Sequence, residues 1–257
     1  AAPPPAPLPQ APGGFSRAQI QWPALFEPRL VASGPREAHS SMMALSRHGR
    51  GVFISALEEQ AATRPFALSG AAAFGPLLSA SWDASGLLLT VASGTVLECP
   101  GQAPSEGHWA CAPVHGAKLP IGAGGAPFRG AVALQRHPAG EAGGLRAAVV
   151  FPGDSSVTLF TRAARAASPW LPAGEVRAHK VPVSASFAAG NTLLLTSADG
   201  AVTRMNMHDG SMVHGEVPNF GGGHSWHGAC DHAGGRVARL ASRSLGPGGA
   251  EPVLFLG

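Results

Sequence analysis

The chain has 257 residues, and charged side chains make up 13% of them, about half the share usual in a soluble domain. Its 35 glycines and 24 prolines break up long helices, while an apolar share of 45% is enough to build a core, so neither a helical bundle nor a disordered chain fits. The net charge of +3 rests on 16 arginines and two lysines, Lys118 and Lys180, set singly along the chain. There is no basic run, no tyrosine and no pattern of stacked aromatics, so no nucleic-acid partner is expected. No apolar run approaches 18 residues, so no membrane span is expected either.

Residues 1–14 (AAPPPAPLPQAPGG) read as an extended Pro/Ala tail that cannot join a core alone, ahead of one domain over 15–257. Its PPP and PLP steps have the form of a ligand for aromatic grooves, beside the plainer reading as a linker. Because the chain opens on Ala1, a processed product or a fragment is expected, which leaves an organelle or a secretory compartment open. Residues 15–37 hold two strand-like stretches, AQIQWPALF and RLVAS, that could close a ring or complete a sheet.

From residue 38 onward, five segments share one order: a β-rich run, a Gly/Asp/Asn turn, a second apolar run and often a third. They are Ala38 to Ser55, Leu77 to Pro100 with HWACAPV as a fourth strand, Phe128 to Thr161, Ala178 to Val213, and Gly223 to Ser244 followed by EPVLFLG. Alternation at Val183, Ala185, Phe187 and at Val202, Arg204, Asn206 predicts strands with one covered face. Hairpin turns are expected at 189–191, at Asp199-Gly200 and at Asp209-Gly210. A two-turn helix is predicted over Ile54 to Ala62, stopped by Pro65, and Arg162 to Val176 is expected to be a surface excursion. Of the three cysteines, Cys99 and Cys111 could bridge across a hairpin, but the odd count and the lack of a CxxC favour free buried thiols for them and for Cys230.

The fourth segment resembles a WD repeat. Ala178-His179 stands where Gly-His precedes the first strand, Asp199-Gly200 supplies the turn, and Met205-Asn206 replaces the terminal Trp-Asp. The fifth keeps Gly223-His224, and the first has Ala38-His39. The resemblance implies an all-β propeller of about five four-stranded antiparallel blades, closed by the N-terminal strands if these join the ring. It also implies that His39, His179 and His224, with Asp199, are structural blade positions. Trp-Asp is missing from its proper place throughout, which departs from the family pattern.

The densest group of reactive side chains is GGGHSWHGACDH at 221–232, where His224, His227, Cys230 and His232 are suitable zinc ligands. Against this, strand alternation would send His224 and His227 to opposite faces. There is no Gly-x-Ser-x-Gly elbow, Glu58-Glu59 are adjacent and would diverge, and GAGGAP at 122–127 lies between strands rather than opening a helix. With no catalytic residue assigned, the expectation is a non-catalytic scaffold or accessory subunit with protein partners in a larger assembly. The alternatives are a propeller enzyme or zinc-binding protein with its site around 221–232, and a domain recognising a small ligand or glycan. So few charges leave much neutral surface, which partners would cover.

Overall fold

The computed structural model describes residues 16–35, 41–55, 61–102, 107–121, 127–137, 144–165, 168–188, 191–215, 223–232, 236–245 and 250–257. Among these, every named element is a strand apart from one 3₁₀ turn at Ala71–Phe74.

The strands fall into five sheets, antiparallel apart from one strand added in parallel to the first. Blade 1 runs outward from β2 (Leu30–Ser33) through β3 (Met42–Leu45) and β4 (Arg50–Ser55) to β5 (Ala62–Ser69). Blade 2 holds β6 (Leu77–Asp83), β7 (Gly86–Val91), β8 (Thr95–Pro100) and β10 (Ala112–Lys118). Blade 3 holds β11 (Ala131–Arg136), β12 (Leu145–Val150), β13 (Ser156–Arg162) and β14 (Leu171–Arg177). Blade 4 holds β15 (Pro182–Ala188), β16 (Thr192–Ser197), β17 (Val202–Asn206) and β18 (Met212–His214). Blade 5 holds β19 (His224–His232), β20 (Arg236–Ser244) and β21 (Ala250–Leu256), and its outermost strand is β1 (Ser16–Arg17). The innermost strands β2, β6, β11, β15 and β19 neighbour one another in turn, with β19 returning to β2. This is a five-bladed β-propeller. RLVAS supplies an innermost strand, whereas AQIQWPALF forms no named strand and contributes the isolated bridge at Ile20; the strand that closes the ring is residues 16–17, just ahead of that stretch.

The expected alternation does not describe the middle strands. In β3, Met43 and Leu45 face blade 2 while Met42 and Ala44 face blade 5. In β7, Leu87, Leu89 and Val91 join the layer shared with blade 1, and Leu88 joins the layer shared with blade 3. Each blade is sandwiched between two others, so both faces of its middle strands are covered, and they read as nearly continuous apolar runs, GLLLTV broken only by Thr90 and LRAAVV only by Arg146. Alternate residues therefore serve two different cores rather than one core and the solvent.

Three further expectations are corrected. The segment from Ile54 to Ala62 is not helical at its described ends: Ile54 and Ser55 finish β4, Ala61 forms a bridge to Ile20, and Ala62 opens β5. Packing of Ile54 in the layer between blades 1 and 5 overrides the local helix preference. Leu171 to Val176 belongs to β14 rather than to an excursion, because the outer edge of β13 offers a ladder that satisfies its backbone. HWACAPV is split between two blades. Gly107–Ala110 forms β9, which crosses to pair in parallel with β5 of blade 1, and the chain then returns as β10 to pair with β8. At that crossing Cys99 and Cys111 form a disulfide, so the reading of both as free thiols is overturned; Cys230 is free and buried. The tail at 1–14, the turn residues 189–190, Glu58-Glu59 and His39 lie outside the described residues.

Candidate functional site

Strand direction assigns every connection to one of two faces. The innermost strands begin at what we term the leading face, where each second strand also turns into the third. In four blades this turn closes on a glycine in the left-handed region, Gly49, Gly94, Gly153 and Gly200, with φ between 79° and 85°. At Gly200 the indole of Trp226 lies 2.2 Å from where a Cβ would stand, so both space and backbone demand glycine there. The preceding Asp199 accepts from Lys180 Nζ at 2.5 Å and from Ser197 Oγ at 2.6 Å, and these bonds hold its carboxyl down at about 2. The expected Asp-Gly turn is thus present, with Lys180, one residue past His179, as the partner of Asp199. His179 itself is exposed, and its ring lies 5.1 Å from that of His214 on the outermost strand of the same blade.

The group at 221–232 does not gather at one point. His224 packs its ring edge-on to Phe255 at 5.6 Å and beside Trp226 at 6.2 Å. Cys230 is buried in the aliphatic layer between blades 1 and 5, where burial, together with Asp231, pushes its thiol well above the usual range. His224 and His232 sit at opposite ends of a nine-residue strand, on the order of 25 Å apart at a rise of about 3.3 Å per residue. Among the described residues, no three His, Cys, Asp or Glu side chains converge as a metal site would need.

His227 has the most distinctive surroundings. Trp226 pairs with Ala241 and Gly228 with Leu240, so His227 is the extra residue of a β-bulge. A bulge breaks the alternation and re-aims its side chain. Leu78 of β6 and Val183 of β15 occupy bulges at comparable places, and Val183 is 45% exposed although it lies on an innermost strand. After each bulged residue comes a small-Ala-small triplet: Ser79-Ala80-Ser81, Ser184-Ala185-Ser186 and Gly228-Ala229-Cys230. Small residues are needed there because innermost strands crowd toward the axis. A Cβ at Gly228 would stand 3.1 Å from Ser184 Oγ, and Ser186 Oγ donates across to the Ala229 carbonyl at 2.5 Å.

Arg29, just ahead of β2, places Nη1 2.8 Å from His227 Nε2. A guanidinium only donates, so Nε2 carries no proton, and the Ser242 hydroxyl, 2.7 Å from the same nitrogen, also donates to it. Burial first, then the charges of Arg29 and Arg47, holds the imidazole down at about 4, so it is neutral near pH 7. A serine–histidine pair is the start of a nucleophilic site, but here the lone pair that would take the serine proton already accepts from an arginine. The arrangement suits positioning rather than proton transfer.

Outward from this pair, a cavity of about 470 Å³ opens on the leading face, lined by Leu25, Phe26, Glu27, Arg29, Ser46, Arg47, His48 and Arg50. Four of the exposed large apolar residues, Leu25, Phe151, Val181 and Leu245, stand on this face by their place in the topology, and Val183 opens at the channel mouth. The remaining two, Leu171 and Val213, are on outermost strands. Neither Leu25 nor the Arg29–His227 pair stands out in the sequence. The RLVAS strand start was the available signal, since it puts Arg29 at the leading end of an innermost strand.

No protein-family model and no curated protein matches the sequence. Among solved structures, the chain is similar to a streptogramin B lyase, with 9% identity over 93% of this chain and 72% of that one and a TM-score of 0.43. It is also similar to the WD40 domain of Pan2 from Neurospora crassa, with 9% identity over 94% and 68% and a TM-score of 0.41. The β-propeller domain of Cps50 (Swd1) from Myceliophteria thermophila matches with 9% identity over 90% and 83% and a TM-score of 0.44. Likenesses this distant carry nothing about activity or partners.

Proposed function

We propose that the chain is a non-catalytic scaffold or accessory subunit that receives a protein partner on its leading face. The observation that carries this reading is the distribution of exposed apolar side chains. Leu25 is 93% exposed at φ 58°, and Phe151, Val181 and Leu245 project from turns on the same face. Holding a leucine in solvent on a left-handed backbone is costly for a monomer, and a covering partner offsets that cost. Arg29, Arg47, Arg50 and Arg129 stand on the same face, and arginine is among the side chains enriched where proteins meet. Among the described residues, no helix is long and apolar enough to cross a membrane, and no zinc ligand set supports the metal alternative.

Size-exclusion of native extract tests the subunit role: co-elution in a larger species is expected, and elution alone near 25.9 kDa overturns it. Leu25→Asp and Leu245→Asp, both at exposed positions, should lower partner recovery several-fold without unfolding the chain. Unchanged recovery in both would move the contact to another face.

A further inference from the structure

The cavity above His227 concentrates positive charge that the protein itself does little to neutralise. Arg29, Arg47 and Arg50 line it, and among the described residues Glu27 is the sole carboxylate in its wall. Glu27 Oε2 is 3.7 Å from Arg29 Nη2, and its side chain is mostly exposed, so the pairing is loose. Behind the arginines the imidazole of His227 offers no counter-charge. Ser46 is 7% exposed, and its Oγ accepts from the Arg50 amide at 3.1 Å, which leaves the hydroxyl proton to donate into the cavity. Three guanidinium forks and one buried hydroxyl donor make this a donor-rich pocket. Such a pocket matches a group with several acceptor oxygens and a negative charge.

We propose that this cavity binds an oxyanion, the carboxylate or phosphate group of an acidic ligand, held between Arg29, Arg47 and Arg50 with Ser46 donating from the wall. At about 470 Å³ the space exceeds one such group and admits part of whatever carries it. Arg29 is pinned from behind by His227, which costs the ligand less ordering of that side chain on binding. Glu27 is the internal competitor, a carboxylate already near the site and displaced when a better-placed anion arrives.

Calorimetric titration of the 257-residue chain at low salt with inorganic phosphate, an Asp/Ser peptide and an Asn/Ser peptide of equal length tests this. Phosphate, the Asp/Ser peptide or both should bind, and the Asn/Ser peptide should not. The joint variant Arg47→Gln/Arg50→Gln should weaken binding at least about tenfold, and Glu27→Gln should strengthen it about threefold. Both arginine side chains are exposed, so the joint variant keeps its fold, which thermal unfolding checks. Binding of phosphate alone assigns the site to a free anion, and preference for the Asp/Ser peptide assigns it to an acidic protein segment. No binding of either, or equal affinity in all three proteins, overturns the proposal. Because small probes are titrated against the chain alone, failure here leaves the leading-face reading untouched, and the Leu245→Asp result, at a residue outside the cavity wall, leaves this one untouched.

Discussion

Blade 1 is held differently on its two flanks. Toward blade 2 the layer is aromatic: Phe53 and Phe66 stack at 4.2 Å, Trp82 and Trp109 meet edge to face at 6.4 Å, and Arg64 lies 5.1 Å over Phe53. Here β9 crosses over to pair with β5, the Trp109 indole donates to the Pro100 carbonyl at 3.1 Å, and the Cys99–Cys111 bond ties the crossing strand back to blade 2. Toward blade 5 the layer is mostly aliphatic, with Trp22 and Phe26 stacked at 5.9 Å as its aromatic part, the third cysteine is left as a thiol, and a polar link runs from Arg29 to His227. That flank is closed by the two-residue β1 and by the single bridge of Ile20 to Ala61. One strand, β5, is thus clasped twice at its outer edge, at one end by the β9 ladder that the disulfide ties back to blade 2, and at the other by the Ile20 bridge and the Thr63 hydroxyl, which donates to the Gln21 carbonyl at 3.1 Å. The cavity with its arginines lies on the second flank, where the seam is held more lightly and has more freedom to answer a ligand.

The largest expected difference between the flanks is the disulfide. Its cysteines are 12 residues apart, a loop whose closure restricts the unfolded chain by about 3 kcal/mol. Cys99→Ala/Cys111→Ala, or reduction of the native chain, should lower the midpoint of thermal unfolding by about 6–12 °C for a domain of this size. Cys230→Ala should be milder, since it only trims a buried thiol. Equal losses in the two variants would mean that the blade 1–2 flank owes its strength to the aromatic layer rather than to the bond.

The acid response should single out the other flank. His227 holds its proton only below about 4 in the folded chain, against 6.5 in the unfolded one. Between those values the unfolded state binds a proton that the native state does not, so stability falls as pH drops through the window and is whole only above it. The expected loss is about 1–3 kcal/mol, read as a lower urea midpoint at pH 4.5 than at pH 7. His227→Gln should flatten that slope. Asp199 works lower down: its stabilisation, present above 3.8, is lost as pH falls toward 2, outside the His227 window. A slope unchanged in His227→Gln would remove this histidine from the account of the seam.

Sequence reading recovered the five segments because each has apolar runs broken by Gly and Asp turns, and those cues are local. Ile54 to Ala62 reads as helical because ISALEEQAA carries its helix preference in its own residues, whereas the blade 1–5 layer that captures Ile54 is completed by distant residues such as Cys230, Leu240 and Leu254. The Cys99–Cys111 bond is conceivable in sequence yet ranks there below free thiols, for a similar reason: what accompanies the pairing is the detour of β9 to another blade. The cavity was the least legible feature, since Arg29 and Arg47 are unremarkable in sequence and His227 reads there as a zinc ligand. They meet only because the ring closes β19 against β2. The triplet after His227 did carry a signal, for Gly-Ala-Cys aligns with the Ser-Ala-Ser that follows Leu78 and Val183.

The smallest effect probes what holds the ring shut. Arg17 Nη2 donates to Glu251 Oε1 at 2.9 Å, but the two side chains are 33% and 39% exposed, so the pair is largely screened. Arg17→Ala should cost no more than about 0.5 kcal/mol, a midpoint change of about 2 °C or less. One residue on, the Ala18 amide donates to the Leu254 carbonyl at 2.9 Å, a backbone bond that continues the β1–β21 ladder. Ala18→Pro removes that donor and should cost at least about 1 kcal/mol. If closure is a matter of strand pairing, the proline variant loses more than the alanine one. The reverse order would mean that charge rather than backbone holds blade 5 closed, and the lighter flank would then also weaken with added salt.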